Sequence, residues 1–471
     1  MFFFIGLANI SFSLGDTKEK WTLKKCIEHA NSKSITALSG AINVANNEIN
    51  YKQSKLNLLP TLNGSGSHNY NFGRTVDPIT NNYISQQIQS NSFGLSTGVN
   101  VFSGMQSRNT IHTQRYNYFA SQKELEVTLN SVALSISNFY LQIIQNREIV
   151  KVAQEQLRSS KIQLENTKKL IEAGSRPGGD LYSIEAQVAN DELNVQNAEN
   201  SLQLALLNLK NTLNLDLDTY FDVEDPNDAF LNNVYIDTAG KVKDVYTENV
   251  EKRPEVQAAV FRRNASSFML KGAKGGLSPR ISLFGNVNTR YSENGVTFIN
   301  PQLNRFEIGE VDGTGEKVYG FNTSFDREKT PFSEQLNDNL GRSIGLSMSI
   351  PLFNGLAAQN NIKSAKLNLE QADLQVKEQE NKYLADLTQA NTNYLSSTRK
   401  LESSKKNMDA QKLNYDYSEK RFSAGAIDFM TFSLAKNNYN IAQAQYIQAK
   451  YEYVFTGLVL NFYKGIPIEI E

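Results

Sequence analysis

Short blocks of this sequence recur at one fixed spacing, and that recurrence restricts the fold more than any other feature. Phe93-Gly94-Leu95-Ser96 returns as Ile344-Gly345-Leu346-Ser347, Phe102-Ser103-Gly104 as Phe353-Asn354-Gly355, and Ala173-Gly174 as Ala424-Gly425. Each pair lies 251 residues apart (345 − 94 = 251). Upstream, Leu59-Pro60-Thr61-Leu62 returns as Ser278-Pro279-Arg280-Ile281, only 219 residues on (279 − 60 = 219), so the second copy holds 251 − 219 = 32 extra residues before Ile344. A period this long is no solenoid repeat. It is an internal duplication of one large unit.

Each copy mixes two periodicities. The first is two. Leu62, Gly64, Gly66, His68, Tyr70 and Phe72 alternate with Asn63, Ser65, Ser67, Asn69 and Asn71, and Phe93, Leu95, Thr97, Val99 and Val101 alternate with small or polar residues. In the second copy the sets are Ile281, Leu283, Gly285, Val287, Thr289 and Tyr291, then Ile344, Leu346, Met348 and Ile350. Such runs predict strands with one apolar and one polar face, of the length that crosses a bilayer as a tilted strand. Phe93, Leu95, Val99, Val101, Ile344, Leu346, Met348 and Ile350 are the expected lipid-facing set.

The second periodicity is the heptad. Val132, Ile136, Phe139, Ile143, Val150, Ala153, Leu157, Leu164 and Ile171 step by three and four or by seven, with Asn146, Ser160 and Thr167 as polar interruptions. Adding 251 gives Tyr383, Leu387, Ala390, Tyr394, Leu401, Met408, Tyr415 and Phe422, interrupted by Ser397, Gln411 and Ser418. Further seams follow each Ala-Gly, from Leu181 to Leu209 and from Phe432 to Leu460. This spacing predicts long helices packed as coiled-coil hairpins. No proline falls between Pro78 and Pro177 or between Pro351 and Pro467 to break them. A helix from Met105 to Glu172 is about 100 Å long at the standard rise, a length suited to spanning a compartment.

Composition excludes several functions. The 48 basic and 49 acidic residues leave a net charge of −1, so no global field favours nucleic acid. The single cysteine, Cys26, allows no internal disulfide or cysteine-rich metal site, and His29, His68 and His112 form no ligand pair. Gly272-Ala273-Lys274-Gly275-Gly276 lacks the ending of a phosphate loop and precedes a strand. No Ser-His-Asp or HExxH pattern is present, and Asp191-Glu192 reads as an acidic pair on a coiled-coil surface. We expect no enzyme, no cofactor and no metal.

The expected organisation is a partial signal peptide in residues 1–20, where Phe2 to Leu14 is uncharged and apolar but lacks a basic lead; the other reading of that stretch is an N-terminal tail. No apolar run beyond it reaches the length of a membrane helix. A first repeat follows over 21–216, with a helix from Thr22 to about Leu58, two membrane strands and a helical hairpin. Residues 217–240 form an acidic linker and 241–471 the second repeat, with a longer solvent-facing loop at about 292–341. The fold class is mixed and mainly α. Four strands cannot close a barrel, and open edges in hydrocarbon strand backbone polar groups. The chain must therefore assemble with itself: three copies supply 3 × 4 = 12 strands around a polar lumen, with the helices as a tube.

Several motifs together resemble the TolC family of outer-membrane efflux proteins. They are Trp21-Thr22-Leu23-Lys24-Lys25-Cys26-Ile27-Glu28-His29-Ala30 at the opening helix, Arg253-Pro254-Glu255-Val256 and Leu277-Ser278-Pro279-Arg280-Ile281 at the start of the second repeat, Pro351-Leu352-Phe353-Asn354-Gly355 at the strand-to-helix exit, and Phe422-Ser423-Ala424-Gly425 at a hairpin tip. The resemblance implies a homotrimer in the bacterial outer membrane, a twelve-stranded β-barrel, a periplasmic α-barrel, and partnership with a periplasmic adaptor and an inner-membrane transporter. It also places the periplasmic aperture and the adaptor-docking surface at the tips, hence at Gly174, Arg176, Pro177 and Asp180 in the first copy and Phe422, Gly425, Asp428 and Thr431 in the second. Phe422 stands where relatives carry a hydrogen-bonding tyrosine, and Thr431 where the first copy has Asp180. The aperture is therefore expected to be held differently here, through Arg176 and Asp180. Asp180 and Asp428 can equally be helix caps.

The stripe Tyr439, Tyr446 and Tyr453 reads as helix packing. Lys168-Lys169 and Lys405-Lys406 read as solvated faces or adaptor contacts. Two functions compete: a trimeric exit duct, for efflux or for type I secretion, and a non-conducting coiled-coil scaffold of the envelope. The alternating strands favour the duct.

Overall fold

The computed structural model describes residues 20–76, 81, 83–84, 87–216, 218–225 and 242–466. The signal segment expected up to residue 20, except Lys20 itself, and most of the 217–240 linker thus lie outside the described residues. The chain divides into two compact units. One takes the described residues up to Glu48, those of 116–264 and those from Glu370 on; the other takes 49–115 and 265–369.

The first unit is helical. Where one opening helix was expected from Thr22 to about Leu58, there are two: α1 (Leu23–Lys33) and α2 (Ile35–Leu56). Ser34 separates them at φ −65°, ψ 140°. Its hydroxyl accepts from the Ala37 amide at 3.2 Å, so it caps α2 while ending α1. Two hairpins follow, α3 (Gln106–Glu172) with α4 (Gly179–Leu213), and, after α5 (Val242–Asn249), a 3₁₀ turn (Val250–Lys252) and α6 (Pro254–Gly275), α8 (Ala357–Ser423) with α9 (Phe429–Tyr463). The duplication is visible in the bounds: α3 and α8 both have 67 residues and start 357 − 106 = 251 residues apart, and α4 and α9 both have 35.

The heptad seam is the core. Leu23, Cys26 and Ala30 of α1 pack with Ile136, Tyr140 and Ile143 of α3, with Leu209 and Leu213 of α4, and with Tyr451 and Val454 of α9. Contrary to expectation, one stretch of α3 is long and apolar enough to cross a membrane as a helix, but seam residues such as Val132 and Ile136 are covered by protein. A second cluster joins Tyr383, Leu387, Ala390 and Tyr394 of α8 to Leu460 of α9. The tyrosine stripe packs between these helices: Tyr439 stacks on Tyr415 at 5.7 Å, and Tyr453 on Tyr394 at 5.4 Å. Arg253 is held by the Phe462 carbonyl at 3.2 Å and by Glu255 at 3.0 Å, beneath the rings of Tyr383, Phe462 and Tyr463. This explains the Arg-Pro-Glu motif as a structural clasp.

The second unit carries the sheet. β1 (Thr61–Asn71), β4 (Ile88–Ser103), β5 (Arg280–Ser292) and β8 (Gly341–Ser349) form an antiparallel four-stranded sheet in the order β1-β4-β5-β8. A small ribbon, β2 (Thr75–Val76) with β3 (Tyr83–Ile84), lies in the β1–β4 connection. The pairing aligns the faces read from the sequence. Gly64 opposes Leu95, Leu95 opposes Val287, Leu283 opposes Leu346, and Gly285 opposes Ile344, so the apolar residues of all four strands share one side. Phe93, Leu95, Ile344, Leu346, Met348 and Ile350 are exposed there, and Val99 is half-buried. Val101, also exposed, is the extra residue of a bulge between Asn100 and Phe102. Exceptions to the pattern include Arg342, on the apolar side opposite Val287, and two apolar residues on the polar side, Ile88 and Phe284, the latter's ring 2.6 Å from where a Cβ on Gly345 would stand.

Residues 292–341, expected as a polar loop, fold as a second sheet. β6 (Val296–Glu310) and β7 (Lys317–Lys329) make a long hairpin, followed by the short helix α7 (Phe332–Asp338). Charges on both faces hide the alternation in the sequence. Gln335 of α7 anchors the hairpin's root, accepting from the Ser292 amide at 3.0 Å and donating to the Thr330 carbonyl at 2.9 Å.

Strand leads to helix through the same backbone in both copies. Gly104 and Met105 lie at φ +60° and +63°, and Gly355 and Leu356 at +62° and +65°. At Gly104 no other residue fits, because a Cβ would come within 2.2 Å of the Gly275 carbonyl oxygen.

Candidate functional site

Both hairpin tips are in the helical unit, and both use one turn. Gly174 (φ +71°) donates to the Ile171 carbonyl at 2.9 Å, and Ser175 to that of Leu170 at 2.8 Å. Gly425 (φ +74°) donates to Phe422 at 3.0 Å, and Ala426 to Arg421 at 2.8 Å. This pair of bonds satisfies the last carbonyls of α3 and α8, and glycine accepts the left-handed conformation at little cost.

The returning helices begin differently. Asp428 caps α9: its Oδ1 accepts from the Thr431 amide at 2.8 Å. Hydrogen bonds from Thr431 hold its carboxyl below the usual carboxylate range. Asp180 does not cap α4, whose N-cap is Gly178, with Pro177 exposed just before it. Asp180 stands in the first turn and accepts from Arg176 Nη1 at 3.1 Å.

Arg176 joins the tips. Its guanidinium lies 3.8 Å from the centre of the Phe422 ring, and its Nη2 donates to the Phe422 carbonyl. Phe422 in turn stacks on Phe432 at 4.8 Å. The Phe422 ring thus takes part in the contact as a cation–π face.

A second connection lies deeper, and sequence reasoning missed it. Asp191, expected on the coiled-coil surface, has a side chain only 1% exposed, and Lys436 of α9 pairs with it at 3.2 Å while itself 3% exposed. Ser160 of α3 donates to Asp191 and accepts from Lys436. Gln187 donates to the other carboxylate oxygen at 3.0 Å and accepts from Ser433 at 3.1 Å. Burial pushes the Lys436 ammonium below the ordinary lysine range, with Asp191 opposing the shift. One ion pair therefore ties α3 and α4 of the first hairpin to α9 of the second. The available signal was Ser160, a hydroxyl at a seam position, with a lysine one step off the seam of α9.

Above the tips, α3 and α8 enclose a groove of about 1050 Å³ lined by Arg158, Ile162, Lys169, Arg176, Glu419 and Phe422 among others. Of the lysine pairs, Lys169 faces this groove, Lys168 reaches Glu165 at 3.7 Å, and Lys406 pairs with Glu402 at 2.7 Å. Thr431 is exposed, with its amide on the Asp428 cap.

The sequence profile of outer membrane efflux proteins matches residues 28–215 and 245–458, both copies almost end to end. The chain belongs to the outer membrane efflux protein family. Solved structures agree on the fold. CusC, known for the conformational changes that accompany its transmembrane channel formation, superposes with a TM-score of 0.75 at 14% identity, over 94% of this chain and 92% of its own. The CmeC outer membrane channel of Campylobacter jejuni gives 0.73 at 14% identity, over 94% and 85%. The outer membrane protein VceC of Vibrio cholerae gives 0.72 at 14% identity, over 95% and 97%. Comparison with curated protein sequences finds no match. This outer membrane efflux protein therefore shares its fold with outer membrane channels.

Proposed function

We propose that three copies of this chain form a closed exit duct of a tripartite efflux or type I secretion system. It receives cargo from an inner-membrane transporter through a periplasmic adaptor docked at the tips. One observation carries the reading: a sheet with an apolar and a polar face ends, among the described residues, in two edge strands, β1 and β8, each paired on one side only. Such a sheet is stable in lipid only when its edges are joined to further strands, and threefold closure joins β8 of one copy to β1 of the next.

Gly174, Arg176, Pro177, Asp180, Phe422, Gly425, Asp428 and Thr431 then line the aperture and the adaptor surface. Arg176 holds the two tips of one protomer together and so keeps the duct closed. The α3–α8 groove beside it, with basic and apolar walls, is the docking site for the adaptor. Motive work comes from the transporter.

The test is reconstitution. Trimers in detergent, placed in planar bilayers, are expected to pass little current as wild type and more as Arg176→Ala. A scaffold that washes off membranes with alkali, and conducts in neither form, would overturn the reading.

A further inference from the structure

The β6–β7 hairpin has apolar side chains on both faces and a different charge on each. Its register places Phe298 opposite Arg327, Leu303 opposite Thr323, and Arg305 opposite Phe321 on one face. On this side Arg305 lies over Tyr319 at 3.4 Å, and Phe298 meets Phe325 edge-on at 5.9 Å. The same face holds Arg305, Lys317, Arg327 and Lys329 against Glu307 and Glu310, a net charge of 4 − 2 = +2. The other face carries Asp326 and Glu328 with no basic residue, a net charge of −2, together with Phe306, Val318 and, from the bulge, Ile308, which reaches the Gly320 position on that side. Phe298, Leu303, Phe321 and Phe325 on the first face, and Phe306, Ile308 and Val318 on the second, are all exposed.

A two-stranded hairpin is marginal in water on its own, and this one presents apolar surface in both directions. A lipid surface would cover one face and leave the other wet. A rotational assembly covers both, because each copy presents its first face to the second face of the next. Rotation about an axis along the hairpin also keeps every residue at its own height, so the two faces must be complementary rung by rung. They are. Arg327 and Lys329 share the rungs 296–299 with Asp326 and Glu328, and Phe321 lies one rung from Phe306.

We propose that the β6–β7 hairpins of three copies pack face to opposite face as a collar. The inference rests on the trimer of the preceding section. The collar joins the three sheets at the ends from which their hairpins arise.

The test is disulfide trapping in the full chain. Phe306→Cys and Phe321→Cys lie on opposite faces, so one chain cannot bridge them, and native Cys26 is buried. Mild oxidation of the double variant is expected to give covalent trimers on non-reducing gels, and either single variant none. Charge reversal on one face (Arg327→Glu with Lys329→Glu) should abolish the covalent trimer. Adding Asp326→Lys with Glu328→Lys should restore it, since every contact joins one face to the other. Light scattering on the same samples separates the failures. Trimers without cross-links overturn the collar alone, and absence of trimers overturns the duct and the collar together. Reversal that the second pair does not rescue overturns the collar in favour of an anionic lipid surface against the basic face.

Discussion

Replacing Asp191 by leucine removes the carboxylate that, among the described residues, pairs with the buried Lys436. The ammonium keeps the Ser160 hydroxyl and the Gln156 carbonyl at 3.5 Å, neither of which carries charge. An uncompensated buried charge of this kind costs about 3–5 kcal/mol. Lys436→Met is milder, about 2 kcal/mol, because the carboxylate left behind still accepts from Ser160 and Gln187. Removing both charges together as Asp191→Leu with Lys436→Met fills the space with apolar groups and should cost within about 1 kcal/mol of nothing. The cycle therefore carries a coupling of about 4 kcal/mol or more. Urea unfolding in detergent, followed by circular dichroism, reads it as midpoint shifts at constant slope. If the two single losses simply add, Lys436 and Asp191 do not meet in the folded protein, and the tie between the hairpins is wrong.

Other consequences can be measured separately. Gly425→Ala has open space around it but a φ of +74°, so it should cost about 1–2 kcal/mol through backbone conformation alone, whereas Gly104→Ala should block assembly of the strand–helix junction. Burial pushes the Cys26 thiol from 9.0 up to about 12, so native protein should resist thiol reagents at neutral pH; the matching stability is complete below about pH 9, falls as the pH rises toward 12, and should fall less in Cys26→Val. The lowered Asp428 carboxyl stabilises the tip above its unfolded value of 3.8 and loses that effect as acid protonates it, so the protection of the Thr431 amide, relative to its unfolded exchange rate at the same pH, should fall at low pH in the wild type and stay constant in Asp428→Asn, which still caps.

The sequence was most legible where each residue type answers to one environment. The alternating runs fixed which side chains share a sheet face, and the 251-residue offset recurs in the starts of α3 and α8 (357 − 106). It was least legible where two environments compete. Asp191 beside Glu192 looks solvated, and only the distant Lys436 makes it a core residue. Ser34 breaks the opening helix without glycine or proline, because its hydroxyl offers the next helix a cap. The β6–β7 hairpin mixes aromatics with charges on both faces, a pattern that reads as loop until the pairing sorts them.

One glutamine separates that hairpin from the four-stranded sheet. Gln335 occupies the root so closely that a Cβ on Gly295 would meet it at 2.5 Å, and its single amide group closes gaps in the main chain on both sides. Strand pairing below the root and hairpin pairing above it are therefore separate problems. The hairpin can therefore be lengthened, shortened or exchanged while the four-stranded sheet keeps its register, and the Gly313–Gly315 bend is the natural place to graft a reporter epitope.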